Sequence, residues 1–136
     1  MSKKAKILLV DNDVDIVDLN KAVLKNNNYE VVEAFSGSEG LEKAKTEKPD
    51  LIVLDLMMEK HDSGFTFAKT LKADPEFKNI PVLMLTSVAD ATGFEFSQRK
   101  DGYWMKTDNY LKKPVTPDRL LEEINKLLEI VKHENK

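Results

Sequence analysis

The chain has 136 residues, of which 41% are hydrophobic and 33% charged, and its formal net charge at pH 7 is −3. This composition predicts one soluble domain with its core at about residues 5–133 and no output domain within residues 1–136. The charge provides no basic field, so we expect no direct nucleic-acid binding. The absence of cysteine excludes disulfides and thiolate sites. The apolar run at 7–10 is too short for a signal peptide or membrane span, and we expect a cytoplasmic protein without membrane partners.

Short apolar stretches alternate with amphipathic ones along the chain. Strands are predicted at about residues 7–10, 30–34, 51–54, 80–85 and 109–111. Five such strands alternating with helices predict an α/β fold, a doubly wound five-stranded parallel sheet with helices on both faces. We expect the strand order 2-1-3-4-5, which brings the carboxyl ends of the first, third, fourth and fifth strands to one rim.

Polar residues predict where the helices begin. The first helix should begin near residue 13 and carry Ile16, Leu19 and Val23 on its apolar face. A Ser-x-x-Glu capping box at 36–39 should open the second helix. The Thr-Pro pair at 116–117 should open the last helix, whose apolar residues recur at helical spacing.

Polar side chains follow most of the predicted strands and should meet at the rim. They are Asp11, Asn12 and Asp13 after the first strand, Asp55 after the third, Thr86 after the fourth and Lys113 after the fifth. Neighbouring carboxylates repel one another unless a hard cation such as Mg²⁺ neutralises them. An Asp beside Mg²⁺ can act as a nucleophile toward phosphorus, while a Lys and a Thr can bind the phosphate oxygens.

Four segments in fixed order span nearly the whole chain: ILLVDND at 7–13, DLIVLDLMM at 50–58, VLMLTS at 82–87 and YLKKPV at 110–115. In joint order and spacing they resemble the receiver domain of response regulators in two-component signalling. The resemblance implies a flavodoxin-like fold and a phosphoryl-accepting switch rather than a turnover enzyme. It also implies a sensor histidine kinase or phosphotransfer protein as the donor, and output through a partner protein.

The resemblance implies a role for each residue of the rim. Asp55 is the phosphoacceptor, and Mg²⁺ is held by Asp11, Asn12, Asp55 and the backbone carbonyl of Met57, with Asp13 as a further candidate. Thr86 is the switch hydroxyl, Lys113 contacts the phosphoryl group, and Tyr110 is the aromatic switch that moves inward. Met57 and Val88 stand at the two positions that set the rate of self-dephosphorylation. Because neither side chain can hold a water molecule strongly, we expect that rate to be slow.

The sequence departs from the family pattern in three places. Asn12 stands where a second acidic residue is usual, so it is either a weaker metal ligand or only a helix cap. The loop at 59–64 lacks the usual Pro and appears one residue longer than is typical. The segment from 86 to 113 is several residues longer, which puts the usual partner surface in doubt.

Two other functions fit parts of the pattern. A phosphatase of the haloacid-dehalogenase type could use Asp11 and Asp13 together with Thr86 and Lys113, but such an enzyme leaves Asp55 without a role. The chain also lacks a cap domain and a late acidic pair. The second alternative is a degenerate receiver that acts only by binding a partner, in which Asn12 is the substitution that impairs phosphorylation.

Overall fold

A computed structural model of the chain describes residues 5–55, 70–71, 73–77, 79–86, 109–112 and 115–134. Five parallel strands form one sheet in the order β2-β1-β3-β4-β5. They are Lys6–Val10 (β1), Glu30–Ala34 (β2), Leu51–Asp55 (β3), Val82–Thr86 (β4) and Asn109–Lys112 (β5). The predicted fold class and strand order are therefore confirmed.

Helices cover both faces of this sheet. They are Val14–Asn26 (α1), Gly37–Glu47 (α2) and Pro117–Glu134 (α3). Successive side chains of a strand point to opposite faces, so the odd-numbered residues of β1 and β3 pack with α1 and α3, and the even-numbered ones pack with α2. Full burial of each such aliphatic side chain contributes about 1.5–3 kcal/mol. Within the described ranges, no helix is long and apolar enough to cross a membrane.

The predicted caps of the second and last helices are confirmed, with one difference. Ser36 Oγ accepts the backbone N–H of Glu39 (3.2 Å), but Glu39 Oε1 accepts the N–H of Phe35 (2.7 Å), one residue before the cap. The carboxylate therefore fixes the chain entering α2 as well as its first turn. Thr116 Oγ1 accepts the N–H of Arg119 (3.2 Å) in the same way at the start of α3.

The face of α1 that packs on the sheet is not the predicted one. Ile16 and Leu19 are 41% and 52% exposed, whereas the buried residues of α1 are Val17, Asn20 and Leu24. The helix carries two apolar stripes, and periodicity alone does not rank them. The stripe with Val17 and Leu24 is buried because it packs into the cluster formed by the odd-numbered strand residues and α3. Asn20 is buried with it.

Tyr29 joins the turn after α1 to α3. Its ring is 2% exposed and packs in the same cluster as Leu24, and its hydroxyl donates a short hydrogen bond to Asn125 Oδ1. Burial raises the pKa of the phenol above its ordinary value of 10.0. The folded protein therefore binds the phenolic proton more tightly than the unfolded chain does.

We expect Tyr29→Phe to lower the free energy of unfolding by about 1 kcal/mol at pH 7, because it removes a buried hydrogen bond and keeps the ring. The stabilisation that comes from the raised pKa is complete below pH of about 10 and is lost above it, where the unfolded chain ionises first. The difference between the natural protein and the variant should shrink at alkaline pH. Urea unfolding at pH 7 and near pH 10.5 measures it; a constant or growing difference would contradict the assigned cause.

Candidate functional site

Two buried carboxylates lie next to each other at the carboxyl edge of the sheet. Val10 pairs with Leu54 in the β1–β3 ladder, so Asp11 and Asp55 follow at the next step of the same two neighbouring strands. Both are nearly inaccessible, at 7% and 5% exposure. Their odd-numbered positions direct both side chains to the face covered by α1 and α3. The predicted meeting of these two residues is confirmed.

A pocket of about 480 Å³ opens beside the two carboxylates. Its walls are Asp11, Asp13, Ile16, Asn20, Asp55, Leu85 and Val115. The polar groups come from the carboxyl ends of β1 and β3 and from α1, and the apolar ones include the end of β4 and the segment that follows β5. The pocket is thus built where a parallel sheet with helices on both faces is expected to bind its ligand.

Asp13 has a defined structural task at this pocket. Its Oδ1 accepts the N–H groups of Asp15 (3.1 Å) and Ile16 (3.3 Å), so Asp13 is the N-cap of α1. The Asp13 N–H in turn donates to Asp11 Oδ1 (2.9 Å), which fixes the Asp11 carboxylate from the loop side. Asn12 is exposed and is not the cap. The interpretation of Asn12 as a helix cap is therefore wrong.

The other predicted site residues are described only in part. Thr86 ends β4 one step beyond Leu85, the residue that pairs with Asp55, and its backbone pairs with Lys112 of β5. Tyr110 lies within β5 and pairs with Met84. Met57, Val88 and Lys113 lie outside the described residues, and the roles expected of them stay predictions.

The donor set suits a hard cation that keeps some of its own water. Among the described residues, no group of three or more His, Cys, Asp or Glu side chains is placed to hold one metal ion. Asp11 and Asp55 provide two carboxylates beside an open pocket. Mg²⁺ is typically bound by one or two carboxylates together with waters and phosphate oxygens, so these residues fit it, whereas a structural zinc site needs a fuller set of protein ligands.

The fold and site agree with a known family. The family model described as "Response regulator receiver domain" matches residues 7–125, and the chain belongs to this family. Receiver domains are signalling switches of two-component systems that take phosphoryl groups from histidine kinases or phosphotransfer proteins. They generally bind Mg²⁺ at the site of phosphorylation.

Individual relatives have different overall lengths. The DNA-binding dual master transcriptional regulator RpaA of a Synechocystis species is 37% identical over 123 residues, covering 90% of this chain and 48% of that protein. The chain thus spans about half the length of the first curated relatives it matches. Protein PilH of Pseudomonas aeruginosa is 32% identical over 91% of this chain and 98% of its own length. The chemotaxis response regulator CheY4 of Vibrio cholerae superposes with a TM-score of 0.75 at 32% identity, covering 90% of this chain and 98% of that one.

One pocket residue was missed by the sequence interpretation. Asn20 lines the pocket and is 8% exposed, yet it lies in the middle of a helix and in no motif. The sequence does contain a signal for Asn20, because Asn20 lies at helical spacing between Val17 and Leu24. This signal can be used only when it is known that Val17 and Leu24 form the buried stripe of α1.

Replacement of Asp13 separates its capping role from its charge. Asp13→Ala should lower the free energy of unfolding by about 1 kcal/mol, because both capped N–H groups lose their acceptor. Asp13→Asn keeps an acceptor oxygen and should lose only the smaller contribution of a negative charge at the helix N-terminus. Urea unfolding without divalent metal measures both variants, and equal losses would show that the charge, not the cap, is what matters.

Proposed function

We propose that this chain is a phosphoryl-accepting switch in which Asp55 is the phosphoacceptor. The observation that carries the proposal is the burial of Asp55 beside Asp11, at the ends of neighbouring strands and on the wall of an open pocket. Buried carboxylates on the wall of an open pocket are concentrated at functional sites. Membership in the receiver family supports this task over the phosphatase alternative.

Phosphoryl transfer to Asp55 requires mainly that the protein position the reacting groups and neutralise their negative charge. An oxygen of Asp55 attacks the phosphorus of a donor phosphohistidine in line, and the phosphorus–nitrogen bond breaks as its electron pair returns to the imidazole nitrogen. One phosphoryl group moves and the donor histidine is left without it. Lys113 would pair with the phosphoryl oxygens, and Thr86 would donate its hydroxyl to one of them.

Mg²⁺ would be held by Asp11, Asp55 and the backbone carbonyl of Met57, with Asn12 contributing an amide oxygen. When bound, the ion neutralises the negative charge that gathers on the carboxylates and the phosphoryl oxygens. Asp13 is better assigned to helix capping, since its Oδ1 already accepts two backbone N–H groups. The chain's own contribution is then to hold Asp11 and Asp55 in place before the ion and the donor arrive.

We also propose that the phosphorylated state is passed to a partner protein. Closure of Thr86 on the phosphoryl group would draw Tyr110 inward and change the surface around β4 and β5. Protein PilH, which is matched over 98% of its own length, is a relative of about the same length as this chain. With Met57 and Val88 at the rate-setting positions, the phosphorylated state should be long-lived and reset by back-transfer or a partner phosphatase.

Asp55→Asn should abolish phosphoryl uptake from acetyl phosphate in the presence of Mg²⁺, because the shape of the side chain is kept and the nucleophile is lost. Intact-mass spectrometry reads the added group. The matched control is Asp50→Asn, an exposed carboxylate at the opposite end of the same strand, which should still be phosphorylated. Uptake that persists in Asp55→Asn and maps to Asp11 would favour the phosphatase alternative; no uptake by the natural protein would favour the degenerate receiver.

Asn12→Asp should bind Mg²⁺ about 30-fold more tightly than the natural protein, because a unit charge about 4 Å from a divalent ion contributes about 2 kcal/mol even in water. Calorimetric titration at constant ionic strength measures both dissociation constants. Asn26→Asp, at the exposed far end of α1, changes the net charge equally and should leave the affinity unchanged. Equal affinities of the natural protein and Asn12→Asp would place position 12 outside the metal site.

A further inference from the structure

Asn20 is a buried polar side chain in an apolar stripe. It is 8% exposed, and its neighbours in the buried stripe of α1 are Val17 and Leu24. Within the described part of the chain, its side-chain amide has no hydrogen-bond partner. A buried amide without a partner is destabilising compared with an aliphatic residue of the same size, so its presence here calls for a partner that is not a protein group.

The surroundings of Asn20 indicate what that partner is. Besides the open pocket, Asn20 borders a second, much smaller cavity of about 10 Å³ next to Asp11. Asp11 and Asn20 are the only described residues with polar side chains on its wall, and the remaining wall includes Leu9, Val17, Val53 and Leu85. This volume is at the lower limit for one water molecule, and a buried water requires two or more polar neighbours.

We propose that Asn20 is a positioning residue that binds one buried water together with Asp11. The Asn20 amide would hydrogen-bond the water, and the water would donate a hydrogen bond to the Asp11 carboxylate. The Asp13 N–H already donates to Asp11 Oδ1 from the loop side. The water would hold the same carboxylate from the helix side, so that its oxygens are oriented before Mg²⁺ binds.

The inference rests on the proposed function, because it assigns Asn20 to the metal site of the receiver. Partners of a metal ligand that orient it without touching the metal typically change metal affinity by about 10- to 100-fold when they are replaced. At this site the effect should lie near the lower end, since the Asp13 N–H still holds one side of Asp11.

Asn20→Leu provides the main test because leucine has the same branching and the same number of side-chain heavy atoms as asparagine, but no polar atom. We expect its Mg²⁺ dissociation constant, from calorimetric titration, to be about tenfold larger than that of the natural protein. Thermal unfolding without metal should show equal or higher stability, because an apolar side chain suits the stripe between Val17 and Leu24. Asn20→Ser, which provides a hydroxyl for the water in place of the amide, should recover part of the affinity. Asn26→Leu, at an exposed position of the same helix, is the matched control and should bind like the natural protein.

A crystal structure of the natural protein at high resolution provides the second readout, an ordered water within hydrogen-bonding distance of both Asn20 and Asp11. Equal Mg²⁺ affinity of the natural protein and Asn20→Leu, or the absence of that water, would overturn the proposal. Either result would leave the proposed function intact if the natural protein binds Mg²⁺ and is phosphorylated. A natural protein that binds no Mg²⁺ would overturn the metal-site proposal and this one with it.

Discussion

The repulsion between two buried carboxylates is the constraint on which the site depends. Asp11 and Asp55 end neighbouring strands, which lie about 4.8 Å apart in a sheet, and both are shielded from water. Like charges this close repel each other, and any cation or hydrogen-bond donor that reaches them reduces the repulsion. Two features of the structure reduce that repulsion. The Asp13 N–H donates a hydrogen bond to Asp11, and the open pocket gives a cation access to both carboxylates.

The strand order places the two carboxylates at a crevice where a ligand can bind. Because β1 lies between β2 and β3, the chain leaves β1 toward one side and returns on the other, and the carboxyl ends of β1 and β3 are left with a crevice between their connections. The start of α1 closes one side of that crevice. Its N-cap, Asp13, ties the direction of the helix to the orientation of Asp11 by a single short loop. The cap of α1 and the orientation of Asp11 thus depend on one residue, Asp13, whose side chain does the first and whose backbone N–H does the second.

The strands could be predicted from the sequence because burial on both faces leaves a simple pattern. The apolar runs in β1 and β3 are interrupted only by the carboxylate that follows or ends them, and that interruption also identified Asp11 and Asp55. The caps at Ser36 and Thr116 were equally visible, since each satisfies backbone groups within three residues. Such signals are local, and the sequence alone contains the information.

The orientation of α1 could not be predicted because it depends on contacts distant in sequence. Ile16, Leu19 and Val23 make as regular a stripe as Val17 and Leu24 do, and the choice between them depends on packing against the strands and α3. Because an amide is expected to face water, the presence of Asn20 between Val17 and Leu24 made their stripe look like the exposed one. Asn20, whose polarity led to the wrong prediction of the buried stripe, is also the residue of α1 that lies near Asp11. Failures of sequence-based reasoning are expected at functional sites, where a residue is retained for its role rather than for its local fit.

The two amide residues discussed above, Asn12 and Asn20, differ in their exposure to solvent. Asn12 is exposed directly after Asp11, at a position where an acidic residue is usual in receivers, and in the proposed metal site it would bring one negative charge less to attract Mg²⁺. Asn20 is buried below the rim and adds no charge, so it can affect the metal only through the orientation of Asp11. A ligand that is already held in place loses less conformational freedom when the metal binds, and this saving does not depend on the charge at position 12. In the proposed site the two amides would therefore affect Mg²⁺ in separate ways, Asn12 through its missing charge and Asn20 through the orientation of Asp11.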